Sequence, residues 1–119
     1  MADYLPKFSP GAVVTYVASA AVLGGQLLTI SGNGTVAPTA GPGTVEGVAG
    51  RDAAVGQGVP VTAAAVHVLT ASAAITAGQR VQSAAAGGVA PWAGTAAADV
   101  IGHATEAIAS GAAGRVRLY

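Results

Sequence analysis

An internal repeat constrains the fold of this chain more than any other feature. When the sequence is shifted by 53 residues, residues 18–38 lie over residues 71–91 without a gap, and ten of the 21 positions are identical. An alanine-rich composition raises the number of chance matches. It does not explain why a Gly-Gln pair (25–26) and a Val-Ala-Pro triplet (36–38) recur in one register. Repetition at a fixed period indicates architecture.

The similarity between the two halves extends beyond these strings. Upstream, residues 11–17 precede the first string as residues 64–70 precede the second. Downstream, the offset becomes 55, and residues 45–54 align with residues 100–109. Each half then ends in a glycine-rich turn before a last run of β-branched residues.

We therefore predict two copies of one unit of about 50 residues, at about 11–58 and 64–114, within a single β domain that spans 11–119. Residues 1–10 have no copy and form an extended N-terminal arm in this interpretation. Two copies are too few for a solenoid, so the repeat favours one closed barrel or sandwich with approximate two-fold symmetry.

Short runs of β-branched and aromatic residues, separated by glycine-rich turns, predict an all-β fold. The predicted strands are 13–17, 27–30, 45–49, 59–62, 66–70 and 116–118. Alanine-rich stretches at 84–86 and 96–98 are short and flanked by glycine, which favours loops or single turns. We expect a compact β-barrel or β-tulip-like domain with at most one or two short helices, placed after Arg51 or Glu106 if present.

Two uncharged segments imitate membrane or targeting signals. Val59–Gly78 is long enough to span a bilayer, but its valines and threonines favour strands over a helix. Residues 7–20 resemble a signal peptide, yet Asp3 stands where positive charge is expected and Pro10-Gly11 opens the apolar part. The Ala-Ser-Ala-Ala string that mimics a cleavage site recurs downstream. We predict neither signal and no membrane partner.

The charge content argues against nucleic acid as a partner. Only 8% of the residues are charged, and they sum to a net charge of +0. Five scattered cations form no basic patch that could neutralise phosphates. With 18 glycines and many alanines, the core of a monomer would be thin, and apolar surface would remain exposed. This composition suits a protein that works in an assembly.

Catalytic and cofactor chemistry finds little support in the titratable residues. The sequence has no cysteine, and its two histidines, His67 and His103, have no metal-ligand spacing; we interpret both as surface or strand histidines. No serine lies in a Gly-x-Ser-x-Gly context. The Gly-x-Gly-x-x-Ala pattern at 32–37 is followed by prolines and glycines, so it predicts a hairpin turn and no dinucleotide site. We expect no enzyme, no cofactor and no metal.

The candidate partner-binding residues are aromatic and apolar anchors. In the arm, Pro6 and the proline at position 10 keep the backbone extended, which suits docking on another protein. A disordered or self-packed terminus is the alternative. Trp92 follows the turn of the second copy and is either a core plug or an interface anchor. The candidate residues are Tyr4, Leu5, Pro6, Lys7, Phe8 and Trp92.

Several motifs follow one another along the chain: an arm that ends in Pro10-Gly11, Gly-Gly-Gln-Leu-Leu at 24–28 and Gly-Val-Ala at 47–49. A Gly-x-Ala-x-Glu-Ala element at 102–107 then leads into a C-terminal Arg-Val-Arg-Leu strand. With these motifs the sequence resembles the small capsid cement, or head decoration, proteins of tailed bacteriophages. The resemblance covers nearly the whole chain, and its motifs are mainly patterns of glycine, alanine and valine.

The resemblance implies a structural virion protein that binds the outer surface of the assembled head. Such proteins bridge neighbouring major capsid protein subunits, typically as trimers at three-fold and quasi-three-fold positions. It implies no catalytic residues. The alternative is a non-catalytic binding module for glycan or host-surface recognition, which would need a cluster of exposed aromatic residues.

Overall fold

A computed structural model describes residues 13–119, and these residues form ten strands and two short 3-10 turns. The first five strands close into a barrel in the order β1-β3-β2-β4-β5, in which β5 pairs back with β1. All of its pairings are antiparallel except that of β1 with β3. The strands are β1 (Val13–Ala18), β2 (Leu27–Gly32), β3 (Thr35–Pro38), β4 (Gly47–Ala49) and β5 (Gly58–Thr62).

The remaining strands form a second sheet in the order β6-β10-β9-β7-β8. An isolated parallel bridge between Ala71 and Val89 connects the two ends of this sheet. The 3-10 turns lie in the same half, at Ala85–Gly87 and Ala97–Asp99. The strands are β6 (Val66–Thr70), β7 (Arg80–Ser83), β8 (Val89–Pro91), β9 (Gly102–Ala104) and β10 (Ala113–Leu118).

The first barrel (β1–β5) and the second sheet (β6–β10) make matching contacts. The parallel pair Ala18–Val36 has its counterpart at the same offset in Ala71–Val89. The same glutamine turn recurs too: the side-chain Oε1 of Gln26 accepts from the N–H of residue 23 at 2.8 Å, and Gln79 Oε1 from residue 76 at 3.0 Å. The two-copy interpretation stays a prediction, which these contacts support.

Each half has its own cluster of buried apolar side chains. The interior of the first barrel contains Leu28, Val36 and Val59, whereas Leu69, Val81 and Val116 lie in the cluster of the second sheet. Burial alternates along β10, as expected for a strand with one face on a core. Because successive strand residues point to opposite faces, Leu27 points out of the first barrel and joins the other cluster.

Polar side chains and a glycine join the two halves. Thr39 and Ser83 are both buried; Thr39 Oγ1 donates to the carbonyl of Ala84 at 2.8 Å, and Ser83 Oγ to that of Gly41 at 2.7 Å. Gly87 has a φ of 69°, and a Cβ there would lie 2.5 Å from the Cβ of Gln26. The junction therefore needs both the conformational freedom and the small size of glycine.

The structure confirms the all-β class and corrects parts of the sequence reading. All six predicted runs overlap strands, but β3, β7, β8 and β9 were not predicted because each has only three or four residues, too few for a clear strand pattern. A helix after Arg51 or Glu106 was wrong: both segments form turns around isolated bridges, Ala53 with Val22 and Ile108 with Ile75. The alanine-rich stretches form the two 3-10 turns.

The long uncharged segment is built into the β structure. Residues 59–78 supply most of β5, all of β6 and the turn that leads to β7. Among residues 13–119, no helix has the length and apolar character needed to cross a membrane.

Candidate functional site

A row of basic side chains crosses three strands of the second sheet. In the strand register, Arg80 of β7 lies opposite His103 of β9, and His103 lies opposite Arg117 of β10. Directly opposed residues point to the same face of a sheet. That face is turned away from the core, because the next residues, Val81 and Val116, are fully buried on the other side. We call it the outer face of the second sheet.

Aromatic side chains lie beside this row at two positions. The guanidinium carbon of Arg80 lies 5.9 Å from the centre of the Trp92 ring, within the range of a cation–π contact. In the middle of the row, Tyr119 Oη and His103 Nδ1 are 2.8 Å apart and form a hydrogen bond. The side chain of Tyr119 is 66% exposed. The row therefore has two aromatic rings beside it that a partner can contact.

Two exposed valines extend the outer face toward its edge. Val66 lies opposite Arg117, and Val68 lies opposite Arg115. Both valines belong to β6, where they are 49% and 60% exposed. Apolar area next to arginines and aromatic rings is typical of protein-binding surfaces.

Of the two outer-face arginines of β10, Arg115 forms an ion pair within residues 13–119 and Arg117 does not. The backbone N–H of Arg115 donates to Glu106 at 3.1 Å and its guanidinium donates at 3.2 Å, and these bonds hold the pKa of Glu106 below its usual value. This is the only ion pair within residues 13–119. In that part of the chain, the guanidinium groups of Arg80 and Arg117 consequently have no carboxylate partner.

The matching row of the first barrel contains no basic side chain and is largely buried. There Leu27 lies opposite Val48, and Val48 lies opposite Thr62. Leu27 is 0% and Val48 5% exposed, because both pack against the apolar cluster of the second sheet. The first barrel therefore uses this row inside the chain, whereas the second sheet presents its counterpart to solvent.

The predicted site residues are only partly described by the structure. Trp92 directly follows β8, is half-buried, and donates from Nε1 to the carbonyl of Ala96 at 2.9 Å. The other five predicted anchors lie outside the described residues; they are Tyr4, Leu5, Pro6, Lys7 and Phe8. Their role as partner-binding residues stays a prediction.

No sequence pattern predicted the basic row, and His103 was predicted to be a surface or strand histidine. Arg80, His103 and Arg117 are far apart along the chain, and only the strand register brings them together. One signal was available: the repeat aligns Arg80 with Leu27 and His103 with Val48, an unusual pair of exchanges between apolar and basic residues. His67 is half-buried and donates from Nε2 to the carbonyl of Ala63 at 2.8 Å, so its bond is local.

Two clefts lie between the halves, and both contain few titratable side chains. The first, of about 220 Å³, is lined by Val45, Glu46, Ile101 and Tyr119 among others. Glu46 Oε1 there accepts a 2.6 Å bond from Tyr16, which raises the pKa of the tyrosine. The second cleft, of about 490 Å³, contains no titratable side chain. Within residues 13–119, no three potential metal ligands cluster.

The chain is an all-β protein that presents arginine and aromatic side chains on one exposed sheet face. The sequence matches the family model of the phage cement proteins over residues 8–118, and the chain belongs to that family. It is a capsid-associated protein of the virion surface.

One solved structure with a similar fold is the N base of the head fiber protein gp8.5 of bacteriophage phi29. The TM-score is 0.76 and the identity 20%, and the match covers 91% of this chain and 93% of that chain. At this identity the likeness concerns the fold. No curated protein matches the sequence.

Proposed function

We propose that the chain is a non-catalytic cement protein that binds the outer surface of the assembled phage head and bridges neighbouring major capsid protein subunits. We propose further that it does so as a trimer at three-fold and quasi-three-fold positions. The observation that carries the proposal is the match to the phage cement family along almost the whole chain. The single β domain and the extended arm remain part of this proposal.

Mass action explains how such a protein stabilises a shell. A ligand that binds the assembled lattice and not the dissociated subunits shifts the equilibrium toward the lattice. Because the contacts repeat over the whole shell, a modest interface is sufficient. Binding to one subunit raises the effective concentration of the protein at the neighbouring subunit.

The composition and contacts of the chain are consistent with this role. It has little charge, and exposed apolar side chains such as Leu23 and Val55 remain at its surface. Polar side chains such as Gln26 and Thr39 form hydrogen bonds in turns and at the junction between the two halves. A shell partner would cover part of the exposed apolar area.

Co-sedimentation with undecorated, expanded heads of the cognate phage tests the proposal. We expect saturable binding, and we expect decorated heads to survive heating to a higher temperature than bare heads. Dissociated capsid subunits serve as the control and should not bind. Failure to bind the cognate heads would refute the proposed function.

Removal of residues 2–9 tests the arm separately. If the arm contacts the shell, the truncated chain should bind heads more weakly while its thermal unfolding stays unchanged. Unchanged head affinity would remove the arm from the binding surface. Symmetry-free reconstruction of sparsely decorated heads would show whether the bound unit is a trimer.

A further inference from the structure

We propose that the outer face of the second sheet is the surface that contacts the phage head, and that it binds an acidic, carboxylate-bearing segment of the shell. This inference rests on the proposed function, because it assigns that function to named residues. The face consists of the basic row Arg80, His103 and Arg117, with Trp92 beside Arg80 and Tyr119 beside His103.

The composition of the face is the first argument. Interfaces concentrate their binding energy in tryptophan, tyrosine and arginine. Residues 13–119 contain three side chains of the phenylalanine, tyrosine and tryptophan type, and two of them, Trp92 and Tyr119, lie here. Arg80, Arg115 and Arg117 lie here as well, which leaves Arg51 as the remaining arginine elsewhere. No other part of the described surface combines these residue types.

The unpaired guanidinium groups determine the chemistry of the partner. Arginine presents a planar set of N–H donors that fits a carboxylate with two parallel bonds. Adjacent strands lie about 4.8 Å apart, so Arg80 and Arg117, two strands apart, are separated by about 10 Å. An extended segment with acidic side chains, laid across β7, β9 and β10, can meet both. The rings and the exposed valines of β6 then shield these charges from water.

The counterpart on the first barrel supports a docking role for this face. In the row Leu27–Val48–Thr62, Leu27 and Val48 are buried against the other half, so a surface at this place in the fold can pack against another β unit. In the second sheet, the basic row replaces the apolar one and no element within residues 13–119 covers it. The exchange of leucine for arginine changes the partner from an apolar core to an acidic surface.

Nucleic acid fits the face less well than an acidic protein segment. The chain has a net charge of +0, and Glu106 stands beside Arg115 on this face. Binding to a phosphate backbone rests on many neutralised phosphates, which three or four basic side chains do not provide. We therefore commit to a carboxylate-bearing segment of the capsid shell.

Paired neutralisation of the row tests the inference. The variant Arg80→Gln/Arg117→Gln is compared with the native chain and with Arg51→Gln, which removes an arginine from the first barrel. Binding to undecorated heads, with and without nuclease treatment, is measured by co-sedimentation at several salt concentrations. We expect the double variant to lose affinity by about tenfold or more, because it leaves shell carboxylates unpaired. Arg51→Gln should bind like the native chain, and all three should unfold at similar temperatures.

The outcomes separate the two proposals. If the native chain does not bind heads, the proposed function fails, and this inference falls with it. If the native chain binds and the double variant binds within about twofold of it, the docking face is wrong while the proposed function stands. If nuclease treatment abolishes native binding, the partner is nucleic acid and the carboxylate assignment is overturned. Weaker salt dependence in the double variant is the expected signature of lost charge contacts.

Discussion

The first barrel and the second sheet share four strand pairings, but they use one surface in opposite ways. In the first barrel the row Leu27–Val48–Thr62 is largely buried against the other half. In the second sheet the corresponding row has exposed Arg80 and Arg117 on either side of a half-buried His103. Most backbone pairings match between the two, so the clearest difference between the rows lies in their side chains. The comparison supports the proposal that the docking face lies where the halves diverge.

The matched positions Leu27 and Arg80 should show the largest contrast in stability. Leu27→Ala removes a fully buried side chain at the junction and is expected to cost about 2–5 kcal/mol. Arg80→Ala changes an exposed residue and is expected to stay within about 0.5 kcal/mol. Chemical denaturation of both variants checks this. Equal costs would contradict the claim that the two rows serve different purposes.

The glycines that precede Val48 and His103 should behave alike in both halves. A Cβ at Gly47 would lie 2.7 Å from the carbonyl oxygen of Thr62, and one at Gly102 would collide with that of Arg117. Each substitution by alanine should cost about 1–3 kcal/mol, because the backbone must shift. Gly41→Ala, which meets open space, is the control. If either strand glycine tolerated alanine as well as Gly41 does, the matched geometry would be wrong.

The smallest expected effects are changes in folding stability with pH, at alkaline pH for the first barrel and at acid pH for the second sheet. In the first barrel, the bond from Tyr16 to Glu46 raises the tyrosine pKa above 10.0, so its stabilisation is present below pH 10 and lost as the pH rises through the folded-state value. In the second sheet, the pKa of Glu106 is lowered below 4.5 by Arg115, so its contribution is present above pH 4.5 and lost as the pH falls.

Two variants separate these effects when the unfolding temperature is measured as a function of pH. Tyr16→Phe should reduce the loss of stability at alkaline pH only, with a cost below about 1 kcal/mol near neutral pH. Glu106→Gln should reduce the loss of stability at acid pH only. A change at the other end of the pH range in either variant would contradict the assigned contacts.

The sequence predicted the strands whose side chains carry a strong signal. Val66–Thr70 alternates and is rich in β-branched residues, and it forms β6 with the predicted bounds. By contrast, Val89–Pro91 and Gly102–Ala104 contain only three residues each, and tertiary pairing holds them in the sheet. Propensity cannot reveal such strands, because the stabilising contacts come from distant residues.

The residues of the candidate site likewise divide into one that the sequence could predict and others that only the strand pairing reveals. Trp92 could be singled out from the sequence because aromatic residues are rare in this chain. The basic row could not, because the registers of three strands define it and no local pattern contains more than one member. Alignment of the two halves offers the one usable sign, since exposed basic residues then stand opposite buried apolar ones.

A reconstruction by electron cryomicroscopy of heads saturated with the protein would test the central claim most directly. We predict density on the outer surface of the head, with the outer face of the second sheet turned toward the shell and acidic residues of the shell near Arg80 and Arg117. Heads that carry no added density, or bound protein whose second sheet presents that face to solvent, would contradict it.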